Sequence, residues 1–276
     1  MKERTMSLKN KIDFAVVFRV KNANPNGDPL NGNRPRITYE GLGEVSDVCI
    51  KRKIRNRLME KGEKIFVQSD DNKTDNYPSL RARAEGVLPA NKNNSETAKL
   101  ACGEWFDVRA FGQVLAFKGD KKGEGVSIGI RGPVSVHPAF SLDRVDVSST
   151  QITKSVSSDG DGKSKGSDTM GMKHRVDNGI YAFYGSINPQ LASKTGFSDD
   201  DAAKLKDVLP RLFENDASSA RPEGSMEVLK LVWWQHNSPN GDLSSAKVHR
   251  SLKVDNSGSV SVEAAEGPKA EIIDGF

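Results

Sequence analysis

The sequence predicts an α+β fold on three observations. Strand-like and helix-like periodicities alternate along the chain, they fall in the order strand, helix, strand, strand, helix, strand, and two polar stretches interrupt them. This is the β-α-β-β-α-β order of a ferredoxin-like unit, enlarged by an insertion after the first helix and another between the middle strands. A chain of 276 residues is long enough for one large domain carrying such insertions.

The first strand is FAVVFRV, Phe14 to Val20, loosely alternating and rich in β-branched and aromatic residues. Fifteen residues of turn formers follow, NANPNGDPLNGNRPR from Asn22 to Arg36. PNGD recurs, as SPNGD, after a later apolar run, so this is either turn chemistry used twice or a loop that holds something polar and extended. From Glu44 to Lys61 the period changes to helical. Ile50, Ile54 and Leu58 form one stripe, Ser46 or Asp47 suits the N-cap, and Gly62 suits the stop. Residues 63–104 carry SDDNKTDN, SLRARAEG and NKNNSETAKLACG, polar loops alternating with short helical pieces that lack a continuous core face, and so read as an insertion.

EWFDVRAFGQVLAF is apolar enough to return to the core. VSIGIRGPVSVHPAF alternates Val126, Ile128 and Ile130 before a Gly-Pro break and then Val134 and Val136, which predicts strands. Between Ser148 and Met172, Ser, Gly, Lys and Asp displace nearly all aliphatics, a composition that cannot bury enough surface to order itself. Strand character resumes in KHRVDNGIYAFYGSIN, with Tyr181, Phe183 and Ile187 on one face. A helix then starts at Ser198 with three aspartates in its first turn. It puts Leu205, Val208, Leu209, Leu212 and Phe213 on one side, and Pro210 kinks or shortens it. MEVLKLVWWQHN is the last strong strand, and SLKVDNSGSVSVE reads as a hairpin turning at Asn256 to Gly258.

Lys and Arg number 41 against 37 Asp and Glu, for a net charge of +4, which permits a polyanionic partner without demanding one. Cys49 and Cys102 lie far apart in helix-like contexts with no Cys/His ligand spacing, so a reducing, cytoplasmic setting without a zinc site is expected. The N-terminal residues show no apolar signal core, and no apolar run approaches the roughly 20 residues of a membrane span.

The sharpest charge feature is the first helix, with Lys51, Arg52, Lys53, Arg55 and Arg57. Lys51 with Arg55 lines one shoulder of the apolar stripe, and Lys53 with Arg57 lines the other. Like charges at i,i+4 repel, and few acids on this helix offset them, so the choice lies between a solvated basic face and a surface relieved by phosphate. Lys154, Lys163, Lys165, Lys173 and Arg175 give the polar excursion the character of an arm that folds on a polyanion, with Met170 and Met172 as buried anchors or as apolar wedges against bases. The histidines His137, His174, His236 and His249 are scattered, and no HExxH, GxSxG or Walker loop occurs. Asp28 is the one carboxylate where a strand-end nuclease could want it, although turn capping explains it better. GDKKGEGVSIGIRGP fails the dinucleotide spacing, and the aromatic motif of ordinary RNA-recognition domains is missing.

Five ordered blocks resemble the repeated backbone subunit of CRISPR Cascade complexes, most closely the type I-C (Dvulg) version of this RAMP superfamily: FRVKNANPNGDP, VSDVCIKRKIRNRL, WFDVRAFGQVLAF, IRGPVSVHPAF leading into VSSTQITKSV, and TMGMKHRVDNGIYAFYG. The resemblance spans nearly the whole chain. It implies a modified ferredoxin-like, RRM-like palm (1–62, 105–144 and 176–276), a helical fingers insertion (63–104) and a β-hairpin thumb (145–175). It further implies copies stacked head to tail along one guide RNA (crRNA) in a helical filament for antiviral defence, with bases presented to target DNA. The other Cascade subunits would be its partners: the guide-processing 5′-end cap, the large subunit and the small subunit.

Carried over residue by residue, the resemblance places Ser46, Lys51, Arg52 and Arg55 at guide phosphates. It places Gln151, Lys154, Met172, Lys173, His174 and Arg175 along the thumb, and the extension to the opening loop adds Asn24, Asn26, Arg34 and Arg36. Backbone contacts hold a guide without reading it, which suits a subunit that must accept any spacer. No catalytic residue, metal or cofactor is expected. The competing readings are a RAMP-type endoribonuclease using Asp28 or His174 and a single-strand RNA-binding module that does not multimerise. The tail SVEAAEGPKAEIIDGF is left unexplained by the resemblance.

Overall fold

The computed structural model describes residues 7–89, 93–117, 126–153, 170–263 and 266–276. The first strand, β1 (Ile12–Ala23), is buried on both faces, which is why its sequence alternates only loosely. Phe14, Val16, Phe18 and Val20 point to the main core, while Ala15 and Val17 point to smaller clusters behind the sheet. The opening loop folds into the two-residue strands β2 (Gly27–Asp28) and β3 (Arg34–Pro35), and β4 (Leu42–Val45) leads into α1 (Asp47–Glu60). Ser46 is the N-cap, its Oγ accepting from Cys49 N at 3.3 Å, and Gly62 at φ 85 follows the helix end. Gly43 is required where β4 crosses Tyr181, because any Cβ there would collide with the buried phenol.

Residues 63–104 contain α2 (Leu80–Val87) and α3 (Asn94–Glu104), followed by α4 (Phe106–Phe111) and the hairpin β5 (Gly112–Phe117) and β6 (Val126–Arg131). The missing core face of this stretch is completed from beyond residue 104. Phe66, Ala84, Leu88, Ala101 and Cys102 pack with Trp105, Val108, Leu115 and Ile128 in a second cluster. Burial raises the Cys102 thiol to about 11, so it acts as a small core residue.

After the Gly-Pro break come β7 (Val134–Val136), β8 (Ala139–Arg144) and β9 (Val147–Thr153), then the long β10 (Met170–Ile187). α5 (Pro189–Thr195) leads to α6 (Asp199–Val208), which opens with a capping box between Ser198 and Asp201 and ends in a 3-10 turn around Pro210. β11 (Met226–Gln235), α7 (Ser245–Arg250), the hairpin β12 (Leu252–Val254) with β13 (Val260–Val262), and β14 (Ala270–Asp274) complete the chain. Ala270–Asp274 of the otherwise unexplained tail is therefore the outermost strand of the sheet, sealing the edge of β11.

The result is a mixed fold around an eight-stranded sheet of path β14-β11-β1-β10-β8-β4, with β7 and β9 also paired to β10. Every described pairing in it is antiparallel. α1 and α6 pack their stripes on one face: Ile50, Ile54, Leu58, Leu205, Val208, Leu209 and Leu212 are all in the main core. On the other face, α7 and the β12–β13 hairpin cover Trp234, Val232 and Ala15. The sheet surface over β1 and β11 is thus already occupied, which leaves no room there for bases to stack as on an open RNA-recognition sheet.

Candidate nucleic-acid interface

Ile12 of β1 pairs with Gln235 of β11, so SPNGD leaves the sheet at the end opposite the opening loop, and the two Asn-Gly turns are unrelated. The opening loop is tied down on both sides. Asn26 Oδ1 accepts from the Ser46 backbone N and from Ser46 Oγ, each at 2.9 Å, which fastens the loop to the N-terminus of α1. Arg34 Nη1 donates to Ser149 Oγ at 3.0 Å, which fastens it to β9. Asn24 turns inward instead: it is buried, and its Nδ2 donates to the Asn33 carbonyl at 2.7 Å. Its side chain therefore braces the loop rather than facing a ligand.

Asp28 Oδ1 caps the short turn after β2 by accepting from Leu30 N at 3.2 Å, and it lies 3.6 Å from Arg36 Nη2. Among the described residues no group of three or more His, Cys, Asp or Glu side chains is placed to hold a metal ion. A turn cap facing an arginine is poorly suited to act as a nuclease ligand.

On α1 the structure corrects the charge reading. Lys53, 1% exposed, pairs with Asp216, which also takes Arg221 Nε at 2.9 Å. Burial pulls the Lys53 ammonium below its ordinary range, and Asp216 partly offsets that. Arg57 is buried between Glu60 and Glu214. Arg55, expected at a phosphate, is turned inward: its Nε donates to Asp107 Oδ2 at 2.8 Å, and its guanidinium lies 5.2 Å from the Phe111 ring centre. Asp107, 1% exposed, also accepts from Phe66 N and Val67 N. The repulsion that suggested phosphate is thus relieved by carboxylates far along the chain, Asp107, Glu214 and Asp216, together with Asp47 and Glu60 of α1 itself. Of the predicted α1 cations, Lys51 is half-committed to Asp47 at 2.9 Å, and Arg52 is exposed with no acidic partner among the described residues.

The polar excursion is also corrected in its described part. Ser148–Thr153 and Met170–Met172 are paired strand, in register from Val147↔Val176 to Thr153↔Met170. This ribbon is ordered by backbone pairing continued out of the core strand rather than by burial. Lys154, like residues 155–169, lies outside the described residues.

Strand alternation sorts the expected ribbon residues onto two faces. Gln151, Met172 and His174 share a face with Ser149, the face Arg34 touches, and His174 Nδ1 is 2.8 Å from Ser149 Oγ. Lys173 and Arg175 lie on the other face, with Arg175 Nε 3.4 Å from Asp177. Met170 and Met172 are 61% and 54% exposed, so they are not buried anchors. The sequence reading missed Ser149, which carries no signal among so many serines.

This chain matches the family described as CRISPR-associated protein Cas7 over residues 10–272. It belongs to the Cas7 family. A CRISPR-associated protein Cas7 of Haloferax volcanii is 28% identical over 229 residues, covering 78% of this chain and 67% of the relative. Among solved structures, a chain of a CRISPR RNA-guided surveillance complex, pre-nicking, superposes with a TM-score of 0.51 at 14% identity, over 86% of this chain and 81% of that one. A chain of a second CRISPR RNA-guided surveillance complex gives 0.44 at 16% identity, over 81% and 68%. The first of these shares the fold of this chain. Among the described residues no helix is long and apolar enough to cross a membrane.

Proposed function

We propose that this Cas7-family chain is a non-catalytic, guide-RNA-holding backbone subunit, of the type I-C kind, that stacks head to tail along one crRNA and presents its bases to target DNA. In this reading the central strands β11, β1, β10 and β8 with α1 and α6 are the ferredoxin-like palm, residues 63–104 the fingers, and the β9–β10 ribbon within 145–175 the thumb. The observation that carries it is the joining of the opening loop to α1 on one side and to the ribbon on the other, beside exposed Arg34 and Arg52, with Lys173 exposed on the ribbon's other face, none of the three having an acidic partner among the described residues. Cations without internal carboxylates are the ones free to neutralise phosphate. Asp28 and His174 are each engaged by an internal partner, which favours holding RNA over cutting it.

The test is RNA retention by protein co-expressed with a repeat-spacer array. Alanine at Arg34, Arg52 or Lys173 should weaken retention equally for all guide sequences and lower the salt slope by about 0.7 for each phosphate no longer neutralised. A defect confined to particular guides would speak against backbone binding. RNA cleavage abolished by Asp28→Ala or His174→Ala would replace this reading with the nuclease.

A further inference from the structure

We propose that Ser149 is a positioning residue for RNA capture, holding Arg34 of the opening loop and His174 of the ribbon in one preset arrangement. This rests on the RNA-holding reading above. Ser149 lies on β9 opposite His174, one same-face pair out from the buried Val176, at the point where the ribbon leaves the core. Its Oγ receives Arg34 Nη1 at 3.0 Å and contacts His174 Nδ1 at 2.8 Å. A hydroxyl has one proton and two lone pairs, and a guanidinium only donates. Arg34 therefore donates to Oγ, and Oγ and His174 Nδ1 share a second hydrogen bond in which either can be the donor, according to the His174 tautomer.

Two consequences follow from that hub. Arg34 uses one donor on Ser149 and has no other side-chain hydrogen bond among the described residues, so the long, rotamer-rich side chain is already fixed when a phosphate arrives. The same atom also joins loop to ribbon, so the ribbon's inner face, with Gln151 and Met172, is held at a set angle to the loop. Ser149 supplies no charge of its own. Its removal should therefore lower affinity by undoing this preorganisation while leaving the count of neutralised phosphates unchanged.

The experiment compares Ser149→Ala, Ser149→Thr and Arg34→Ala in the full chain, using a single-stranded RNA of guide length over a salt series. Ser149→Ala should weaken binding roughly two- to tenfold with an unchanged salt slope. Ser149→Thr should restore it, because it keeps the hydroxyl and suits a strand. Arg34→Ala should lower both affinity and slope, and adding Ser149→Ala to it should cost much less than in the parent protein. Full binding by Ser149→Ala, a changed slope, or an undiminished Ser149 effect in the Arg34→Ala background overturns the assignment. Failure of the parent protein to bind RNA at all sinks the RNA-holding reading instead, and the assignment with it.

Discussion

Replacing Arg55 by Met separates a folding role from an RNA role on the helix that looks most like a phosphate surface. Met keeps its packing on Phe111 but removes the charge that faces Asp107. Breaking a buried ion pair from one side costs about 3–5 kcal/mol. Asp107 retains two backbone donors, Phe66 N at 2.7 Å and Val67 N at 3.0 Å, so the cost should sit below that range, at about 2–3 kcal/mol. For a chain of this size that is a melting-temperature drop of roughly 4–12 °C. Arg52→Met, one turn-face away in solvent, should move stability by less than about 0.5 kcal/mol. The assay pairs denaturant melts of both variants with RNA binding over a salt series. An Arg55→Met protein that melts like the parent yet loses salt slope would show that Arg55 faces phosphate and that its pairing with Asp107 is not the dominant interaction.

Asp216→Asn strands the buried Lys53 and should destabilise by about 3 kcal/mol or more, without altering the salt slope of RNA binding; an unchanged melting curve would contradict this. Under α7, His236 Nε2 contacts Asp13 Oδ2 at 2.9 Å, and His249 Nε2 lies 3.5 Å from Asp13 Oδ1. Burial lowers the His249 imidazole below its ordinary 6.5, opposed by Asp13. For Asp13, burial works upward, but hydrogen bonds from His236 and Ser245 with the charges of Lys11 and His249 outweigh it, leaving the carboxyl below 3.8. Both folded values lie below the unfolded ones, so their stabilisation is present above the unfolded pKa and lost as pH falls, His249 from about 6.5 downward and Asp13 below about 4. Melting temperature should fall on acidification from pH 7 to 5.5, and less so in His249→Gln; a parent melting point that rises over that interval would refute the sign.

What was legible in the sequence was local. The α1 stripe, the Ser198 cap with its three aspartates, and the Asn256 to Gly258 turn each declare themselves within a few residues, and each element forms where its pattern predicts. The partners of the α1 cations did not, because Asp107 lies 52 residues from Arg55, and Asp216 lies 163 from Lys53. A basic shoulder looks the same in sequence whether solvent, phosphate or a distant carboxylate faces it. The ribbon strands escaped for a different reason. They bury almost nothing, so they carry no apolar alternation, and their order is inherited from β10. Of the candidate site, the opening loop and ribbon were found by composition and resemblance. Their junction at Ser149 joins side chains 115 residues apart, which no local pattern reports.

Electron microscopy of the complex purified after co-expression with a repeat-spacer array tests the central claim most directly. Several copies should repeat at regular intervals along one RNA, with each opening loop and ribbon against the RNA backbone. A homogeneous RNA-free monomer, or a single copy on RNA that never adds a neighbour, would contradict it.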